Sequence, residues 1–167
     1  MNEMELQLEA QTGTLLTADG YAALQQELET LTTVKRQEIA ERIRDSQQHG
    51  EFSEDNNELD EVKLEQAMVE TRIAELQELF GNAQILNEAA IPTDHVGIGS
   101  RVTLLDLTYD DEFEVRLVSS IEADPARDYI STESPMGLAI YGAEADQEVF
   151  FDAPEGRKRF KIVSITR

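Results

Sequence analysis

Carboxylates are concentrated in one short stretch of the sequence. Six of the eleven residues from 51 to 61 are acidic and none is basic, and the acids are Glu51, Glu54, Asp55, Glu58, Asp60 and Glu61. Because neighbouring carboxylates repel one another, such a group becomes favourable where a cation or a cationic surface shares the charge. Two carboxylates together with waters are ligands that Mg²⁺ prefers. The stretch therefore indicates a metal site or a contact with a positively charged partner.

A structural interpretation of the same acids stays open. Acidic residues at the start of a helix stabilise its positive end, and this effect alone would account for a polar and acidic helix start. The residues concerned are Ser53, Glu54, Asp55 and Glu58. A calcium-binding loop of the EF-hand type is disfavoured, because residues 51–57 contain no glycine.

Apolar residues before the acidic stretch recur at steps of three and four. The stripe contains Tyr21, Leu24, Leu28, Leu31, Ile39 and Ile43. This period places the side chains on one face of a helix, and Thr17 or Asp19 can cap its start. The pattern predicts an amphipathic helix over residues 18–48, about 45 Å long at 1.5 Å per residue.

A sharper heptad pattern follows the acidic stretch. Its seam contains Leu59, Val62, Gln66, Val69, Ile73, Leu76 and Phe80, and Gly81-Asn82 then ends the helix. Two long amphipathic helices joined by a tight connection bury their apolar faces against each other. We therefore expect an antiparallel coiled-coil hairpin over residues 15–86 that exposes an acidic tip at 49–58.

The composition changes on both sides of this hairpin. Residues 1–14 are polar without a sustained period and are expected to form a flexible tail, whereas 87–99 contain the proline and glycines of a linker. Short β-branched or aromatic segments fill residues 100–167 and predict a small α+β domain. The expected strands are 101–107, 113–118, 129–132, 148–152 and 159–165, and a short helix starts at Ser134-Pro135. The fold class is accordingly α+β.

The overall composition excludes several classes of protein. The formal net charge is −21, from 35 acidic and 14 basic residues, which argues against tight binding to a DNA duplex. We therefore expect no sequence-specific DNA binding. Cysteine is absent, so disulfide frameworks and thiolate metal sites are excluded. The N-terminus lacks the basic and apolar regions of a signal peptide, and no apolar run is long enough to cross a membrane. We expect a soluble, cytoplasmic protein.

Basic residues on the hairpin form a second candidate site, one that would contact RNA phosphate. They are Lys35, Arg36, Arg42 and Arg44, with Lys63 and Arg72 on the second helix. The alternative is that these residues pair with nearby acids along the helix, namely Glu38, Glu41 and Glu70. His49 and His95 lack the companion residues of a catalytic histidine. Nothing in the sequence indicates a self-contained active site.

Several segments together resemble the bacterial Gre transcript-cleavage factors. The segments are LLTADGYAALQQELETL, VKRQEIAERIRDSQQHGEFSED, GNAQIL, SPMGLAIYG and APEGRKRFKIVSI, in that family's order and spacing over nearly all of residues 15–167. The resemblance implies a coiled coil that enters the secondary channel of bacterial RNA polymerase. It also implies a C-terminal domain similar to FKBP prolyl isomerases that docks at the channel's outer rim. Such a factor is no enzyme itself but stimulates the polymerase's own cleavage of backtracked RNA 3′ ends.

The resemblance also implies roles for individual residues. The run from His49 to Asp55 occupies the place of the family's tip motif, so Glu51 and Glu54 are implied to bind Mg²⁺ jointly with the polymerase and to act in its active site. Ser53, Asp55 and Asn56 would support them. The candidates for docking on the polymerase are Ser134, Pro135, Met136 and Gly137, although packing at a helix start explains these four equally well. The protein is expected to be a monomer that meets the nascent RNA 3′ end only indirectly.

Departures from the family pattern keep other functions open. Glu51 replaces the usual aspartate, and its extra methylene would disturb the octahedral geometry that Mg²⁺ demands. The chain also carries one residue more than usual after the tip. An acid-rich tip favours a second hypothesis, inhibition of the polymerase through the same channel. A prolyl isomerase or chaperone is disfavoured, because the aromatic residues of the C-terminal half alternate as core residues would; they are Phe113, Phe150, Phe151 and Phe160.

Overall fold

The structure is a computed structural model that describes residues 13–50 and 57–167 of the chain. These residues form two compact units. A helical unit spans 21–83, and a sheet unit combines 13–20 with 84–167. The residues before the first helix and those of the expected linker therefore belong with the C-terminal domain. No helix among the described residues is both long and apolar enough to cross a membrane.

Two helical arms run antiparallel to each other. The first arm consists of α1 (Ala18–Thr30), a π-helical turn (Leu31–Lys35) and α2 (Arg36–Gly50), and the second arm is α3 (Asn57–Asn82). Contacts join rising numbers on the first arm to falling numbers on the second: Tyr21 meets Phe80, Arg36 meets Glu70 and Arg42 meets Glu65. The predicted helical hairpin is confirmed.

The core between the arms follows the predicted apolar stripes with two exceptions. Its buried centre consists of Ile39, Val62, Val69 and Ile73, with Leu28, Leu31 and Ile43 packed around it. Gln66 was predicted on the seam but is exposed, since burial would strip its amide of water. Leu79, outside the predicted seam, is 7% exposed. Its neighbour Phe80 is only half-buried and contacts the ring of Tyr21 edge-on at 5.1 Å.

A π-helical turn interrupts the first arm where the apolar period predicted a continuous α-helix. Thr32 Oγ1 donates to the carbonyl oxygen of Leu28 at 2.8 Å, and Thr33 Oγ1 donates to that of Glu29 at 2.7 Å. Hydroxyls that bond the carbonyl four residues earlier compete with the backbone ladder and bend helices. A π-helical turn accommodates an extra residue without ending the helix. The adjacent threonines were the signal in the sequence.

A short parallel ladder opens the sheet unit. Strand β1 (Leu15–Leu16) pairs with β2 (Gln84–Ile85). The amide of Gln84 donates to Thr14 O at 2.9 Å, and the amide of Leu86 donates to Leu16 O at 2.7 Å. The chain therefore leaves this unit and returns to it at neighbouring points.

Five further strands form the main sheet. They are β3 (Arg101–Asp106), β4 (Asp111–Val118), β5 (Tyr129–Ser131), β6 (Glu148–Ala153) and β7 (Gly156–Thr166), in the spatial order β5-β4-β3-β7-β6. Within this order, the β4–β5 pair is parallel and the other three pairs are antiparallel. Helix α4 (Pro135–Ile140) packs on one face through Ile140, which joins the buried core of the sheet. The predicted α+β class is confirmed.

One expectation for the aromatic residues of this half of the chain was wrong. Phe150 was predicted in the core but is 59% exposed, because successive residues of a strand point to opposite faces and Phe151 takes the inner position. Residues 87–99, expected to form a linker, group with the sheet unit. They contain a 3-10 turn at Glu88–Ala90 and bury Ile91 and Val96, which are 2% and 0% exposed.

Candidate functional site

The acids predicted to bind metal lie outside the described residues. They are Glu51 and Glu54, with the supporting Ser53, Asp55 and Asn56. The structure does describe both helices that border them, since α2 ends at Gly50 and α3 begins at Asn57. Within residues 13–50 and 57–167, no group of three or more acidic or histidine side chains is placed to hold a metal ion. The metal site therefore stays a prediction.

Two acids at the start of α3 follow the rule for helix starts. Glu58 and Asp60 occupy the first turn of α3, and both are exposed. Their charges stabilise the positive end of the helix. The structural interpretation is therefore sufficient for these two residues, whereas it is not tested for the acids of 51–56.

Three of the four basic candidates are held by acids of the opposite arm. Lys35 Nζ and Arg42 Nη1 lie 2.8 and 2.6 Å from the two carboxylate oxygens of Glu65. Arg36 makes a bidentate contact with Glu70, in which Nε and Nη2 each lie 2.8 Å from one carboxylate oxygen. The pairing thus crosses the hairpin and does not use Glu38 or Glu41 among the described residues.

These ion pairs shift the pKa values of the groups that form them. Hydrogen bonds from Lys35 and then Arg42 lower the pKa of Glu65, and a hydrogen bond from Arg36 lowers the pKa of Glu70. On the second arm, Arg72 binds Glu27 at 2.6 Å, and this hydrogen bond raises the pKa of the guanidinium. Exposed pairs contribute little singly, but here they join the arms at four points along their length.

Arg44 differs from the other basic candidates. Its Nε donates to Ala40 O at a long 3.4 Å, and no carboxylate of the described chain pairs with it. It is also the candidate nearest in sequence to the acidic tip. Contact with RNA phosphate stays a prediction for all four residues, and Arg44 has the guanidinium most available for it.

The predicted docking segment serves first as a helix start. Ser134 Oγ accepts a hydrogen bond from the amide of Gly137 at 3.0 Å and donates to Ser131 O at 2.7 Å. Met136 packs against the core, and Gly137 is buried where a Cβ would lie 1.9 Å from Ser131 O. Of the four candidates only Pro135 is exposed. Packing therefore accounts for the other three.

An exposed apolar surface lies beside these residues and was not predicted. Leu138 is 67% exposed and Tyr141 is 48% exposed. With Pro135 they recur every three residues, which places them on one side of α4 and its end. We call Pro135, Leu138 and Tyr141 the α4 surface. The signal in the sequence was Leu138, an apolar residue in a short helix whose other large apolar residues, Met136 and Ile140, pack in the core.

A cavity of about 860 Å³ borders the α4 surface within the sheet unit. Tyr141, Ile85 and Ile121 line it, together with residues of the 87–98 segment. Ser119 Oγ is enclosed there and has no hydrogen-bond partner among the described residues. At the rim, the His95 ring lies 2.8 Å from Asp94 Oδ1, and this hydrogen bond lowers the pKa of the Asp94 carboxyl.

Comparison with known proteins agrees with the resemblance seen in the sequence. The model "Transcription elongation factor, N-terminal" matches residues 14–85, and "Transcription elongation factor, GreA/GreB, C-term" matches 91–167. Transcription elongation factor GreA of Acetivibrio thermocellus is 46% identical over 92% of this chain and 96% of its own. The same factor of Clostridioides difficile has the same identity and coverage.

A solved structure is also similar in sequence. The crystal structure of GreA factor homolog 1 of Thermus thermophilus is 32% identical and covers 93% of this chain and 99% of its own, with a TM-score of 0.40. Both halves of the chain are matched by the family models, and the curated relatives span nearly its whole length. The chain belongs to the GreA/GreB family of transcription elongation factors.

Proposed function

We propose that this protein binds bacterial RNA polymerase as a GreA-type elongation factor and stimulates cleavage of backtracked RNA at its 3′ end. The observation that carries the proposal is an ion-paired antiparallel hairpin whose connection holds Glu51 and Glu54, in a chain 46% identical to factors named GreA. The protein supplies residues to the polymerase's active site and is not an enzyme alone.

The hairpin is suited to present its connecting segment. Arm α3 has 26 residues, which corresponds to about 39 Å of helix. A buried seam and the ion pairs of Glu65 and Glu70 hold the two arms side by side. Residues 51–56 join the ends of these arms. We therefore assign their carboxylates to the end of the hairpin that enters the channel first.

The tip chemistry follows from its oxygen donors. Carboxylates are the ligand type that Mg²⁺ takes in partly hydrated sites, and Glu51 and Glu54 can each offer one. An ion held between them and the polymerase would activate water for attack on RNA phosphate. Arg44 lies on the arm that leads to the tip, where it would contact RNA phosphate.

The sheet unit would bind the polymerase. The α4 surface exposes apolar area of the kind that protein interfaces bury. Ser134 and Gly137 fix the start of α4 and so position Pro135 and Leu138. This surface belongs to the sheet unit, whereas the tip belongs to the helical unit.

Inhibition of the polymerase through the same channel is the second candidate function. The residues that favour it are Glu51 in place of aspartate and the added acids Asp55 and Glu58. A tip that holds the metal in unsuitable geometry would occupy the channel without promoting cleavage. Its expected signature is slower RNA synthesis with no shortened transcripts.

The deciding experiment is the double substitution Glu51→Ala and Glu54→Ala in a cleavage assay on stalled elongation complexes with Mg²⁺. We expect cleavage to fall about 10²-fold or more, because metal-assisted stabilisation of developing charge is lost, while affinity for the polymerase is kept. The matched control is Asp60→Ala with Glu61→Ala, which removes the same charge from the start of α3. Loss of cleavage and affinity together would contradict the proposed role of the tip.

A further inference from the structure

The basic residues of this acidic chain differ in whether a carboxylate lies within hydrogen-bonding distance. In the helical unit, Lys35, Arg36, Arg42 and Arg72 lie 2.6 to 2.8 Å from a carboxylate oxygen. In the sheet unit, Arg157, Lys158 and Arg159 lie 3.1 to 3.3 Å from one. Four arginines of the sheet unit have no carboxylate within hydrogen-bonding distance in the described part of the chain: Arg101, Arg116, Arg127 and Arg167. Arg44 and Lys63 of the helical unit, and Lys161 on β7, share this property but are not counted with the four arginines.

Strand register, Tyr129 and the segment after β2 link these four arginines within one part of the sheet unit. Arg101 on β3 stands directly across from Arg116 on β4, and Arg116 stands across from Tyr129 on β5. Register partners on adjacent strands point to the same face. Arg167 bonds the carbonyl of Ala89, the residue after the Glu88 that approaches Arg116. We call Arg101, Arg116, Arg127 and Arg167 the arginine row.

Arg116 is buried with most of its donors unused. Its side chain is only 6% exposed, and its Nε donates to Gly99 O at 3.3 Å. Neither terminal nitrogen has a hydrogen bond to a described residue, and neither is fully enclosed. A guanidinium carries five donors in a fixed fork. The four donors on its terminal nitrogens therefore have no hydrogen-bond acceptor among the described residues.

Tyr129 orders two members of the row. The guanidinium of Arg127 lies 4.4 Å from the centre of its ring, and that of Arg116 lies 5.8 Å from it. Arg127 Nη2 also donates to the Tyr129 hydroxyl at 3.2 Å. Such stacking leaves the in-plane donors of a guanidinium free to bind a ligand. Arg167 is fixed separately, by donation from Nη1 to Ala89 O at 3.1 Å.

Nearby acids neutralise the row only in part, through two long ion pairs. Glu88 and Glu114 approach Arg116 and Arg101 only to 4.0 and 3.9 Å, and their side chains are 78% and 57% exposed. Asp128 lies between Arg127 and Tyr129 in sequence but forms no ion pair in the described structure. Like charges placed directly across strands are destabilising, so an anion bound at shorter distance would further reduce the repulsion between Arg101 and Arg116.

We propose that the arginine row binds a compact phosphate anion of the pyrophosphate type, either free or as the phosphate tail of a nucleotide. Guanidinium groups bind phosphate oxygens through paired, charge-assisted hydrogen bonds. Two adjacent phosphoryl groups engage more than one arginine at once. The ring of Tyr129 already carries a guanidinium, so it is not free to stack a base, and this favours the phosphate group over a nucleobase as the part recognised. The residues of the site are distinct from those of the tip and of the α4 surface.

Calorimetric titration of the full chain with sodium pyrophosphate, at low salt and without divalent cations, tests this site. We expect saturable binding, which a protein of net charge −21 would otherwise oppose. The substitutions Arg101→Gln and Arg127→Gln together should weaken binding on the order of tenfold or more. The control Arg157→Gln with Arg159→Gln removes equal charge from the same sheet and should change affinity less than about threefold.

Further titrations identify the source of the phosphate. Equal affinity for pyrophosphate and ADP, with none for adenosine, is expected if the phosphate group alone is recognised. Glu88→Gln should strengthen binding, because it removes the carboxylate nearest Arg116. No saturable binding, or equal weakening in both double variants, would overturn the proposal. So would a single-stranded oligoribonucleotide that binds the same arginines more tightly than pyrophosphate, since the ligand would then be an RNA backbone.

Discussion

Glu122 holds Thr17 at the start of the first helix with both of its carboxylate oxygens. The amide of Thr17 donates to Oε2 at 2.9 Å, and the hydroxyl donates to Oε1 at 2.6 Å. Thr17 Oγ1 in turn accepts from the amide of Gly20 at 3.0 Å, which is the bond of a helix cap. A Cβ at Gly20 would overlap the Glu122 carboxylate at 1.7 Å. A side chain 105 residues later thus completes the cap of α1.

Replacing Glu122 with alanine should therefore destabilise the sheet unit. The substitution leaves the amide and hydroxyl of Thr17 without their acceptor, and it removes a negative charge from a helix start. We expect a loss of about 1 to 3 kcal/mol in the free energy of unfolding, measured by calorimetry. Glu144→Ala is the control, since that exposed carboxylate has no partner in the described chain. Equal loss in both variants would show that the cap does not matter.

Gly137 should not tolerate a side chain. Alanine there would place its Cβ 1.9 Å from Ser131 O, a backbone atom that cannot move away easily. We expect Gly137→Ala to cost about 1 to 3 kcal/mol and to lower the melting temperature of the sheet unit. The matched control is Gly81→Ala in α3, where nothing lies within 4 Å of the new Cβ. There the better helix propensity of alanine should be neutral or stabilising.

The ion pairs between the arms should contribute stability that depends on pH. Lys35 and Arg42 lower the pKa of Glu65 below its ordinary value of 4.5 in the folded state. A lowered carboxyl pKa stabilises the fold above the unfolded value, and this contribution is lost as pH falls through the folded value. The difference in melting temperature between the wild type and Glu65→Gln should therefore be positive above pH 4.5 and shrink below it. Glu58→Gln is the control, and a difference independent of pH for Glu65→Gln would contradict the assignment.

The α4 surface should govern affinity for the polymerase without governing stability. Leu138→Ser removes an exposed apolar side chain, so binding should weaken about tenfold, as expected for a residue buried in an interface. Phe150→Ser is the matched control, because Phe150 is 59% exposed and Leu138 is 67% exposed in the same unit. Polymerase binding measured by fluorescence anisotropy distinguishes the two. A larger effect for Phe150 would place the contact on the other face of the sheet.

The sequence was most informative where side-chain periodicity and burial coincide. The steps from Tyr21 to Ile43 and from Leu59 to Phe80 predicted both arms, because a two-helix unit has one apolar face to bury on each helix. Strand positions in the C-terminal half followed from β-branched runs between turns. In contrast, the amide of Gln66 fits the heptad spacing but not the chemistry of a buried seam, so spacing alone misplaced it.

Features set by distant contacts could not be predicted in the same way. Glu122 caps a helix that starts 105 residues earlier, and no local pattern reveals that pairing. The arginine row depends on strand register, since Arg101 and Arg116 meet only when β3 and β4 align. The exposure of Phe150 was predictable in principle, because Phe150 and Phe151 are consecutive in one strand and cannot share a face.

The β1–β2 ladder has a topological consequence for the family's architecture. Leu15–Leu16 and Gln84–Ile85 lie side by side. The segment 21–83 is therefore an insertion that begins and ends at neighbouring points of the sheet unit. Such an insertion can be lengthened or shortened by whole heptads, with the seam kept in phase, while the host keeps its own hydrogen bonds. The length of the helical unit, and so the distance that its tip can reach, can then change in evolution or by design without a change in the sheet unit.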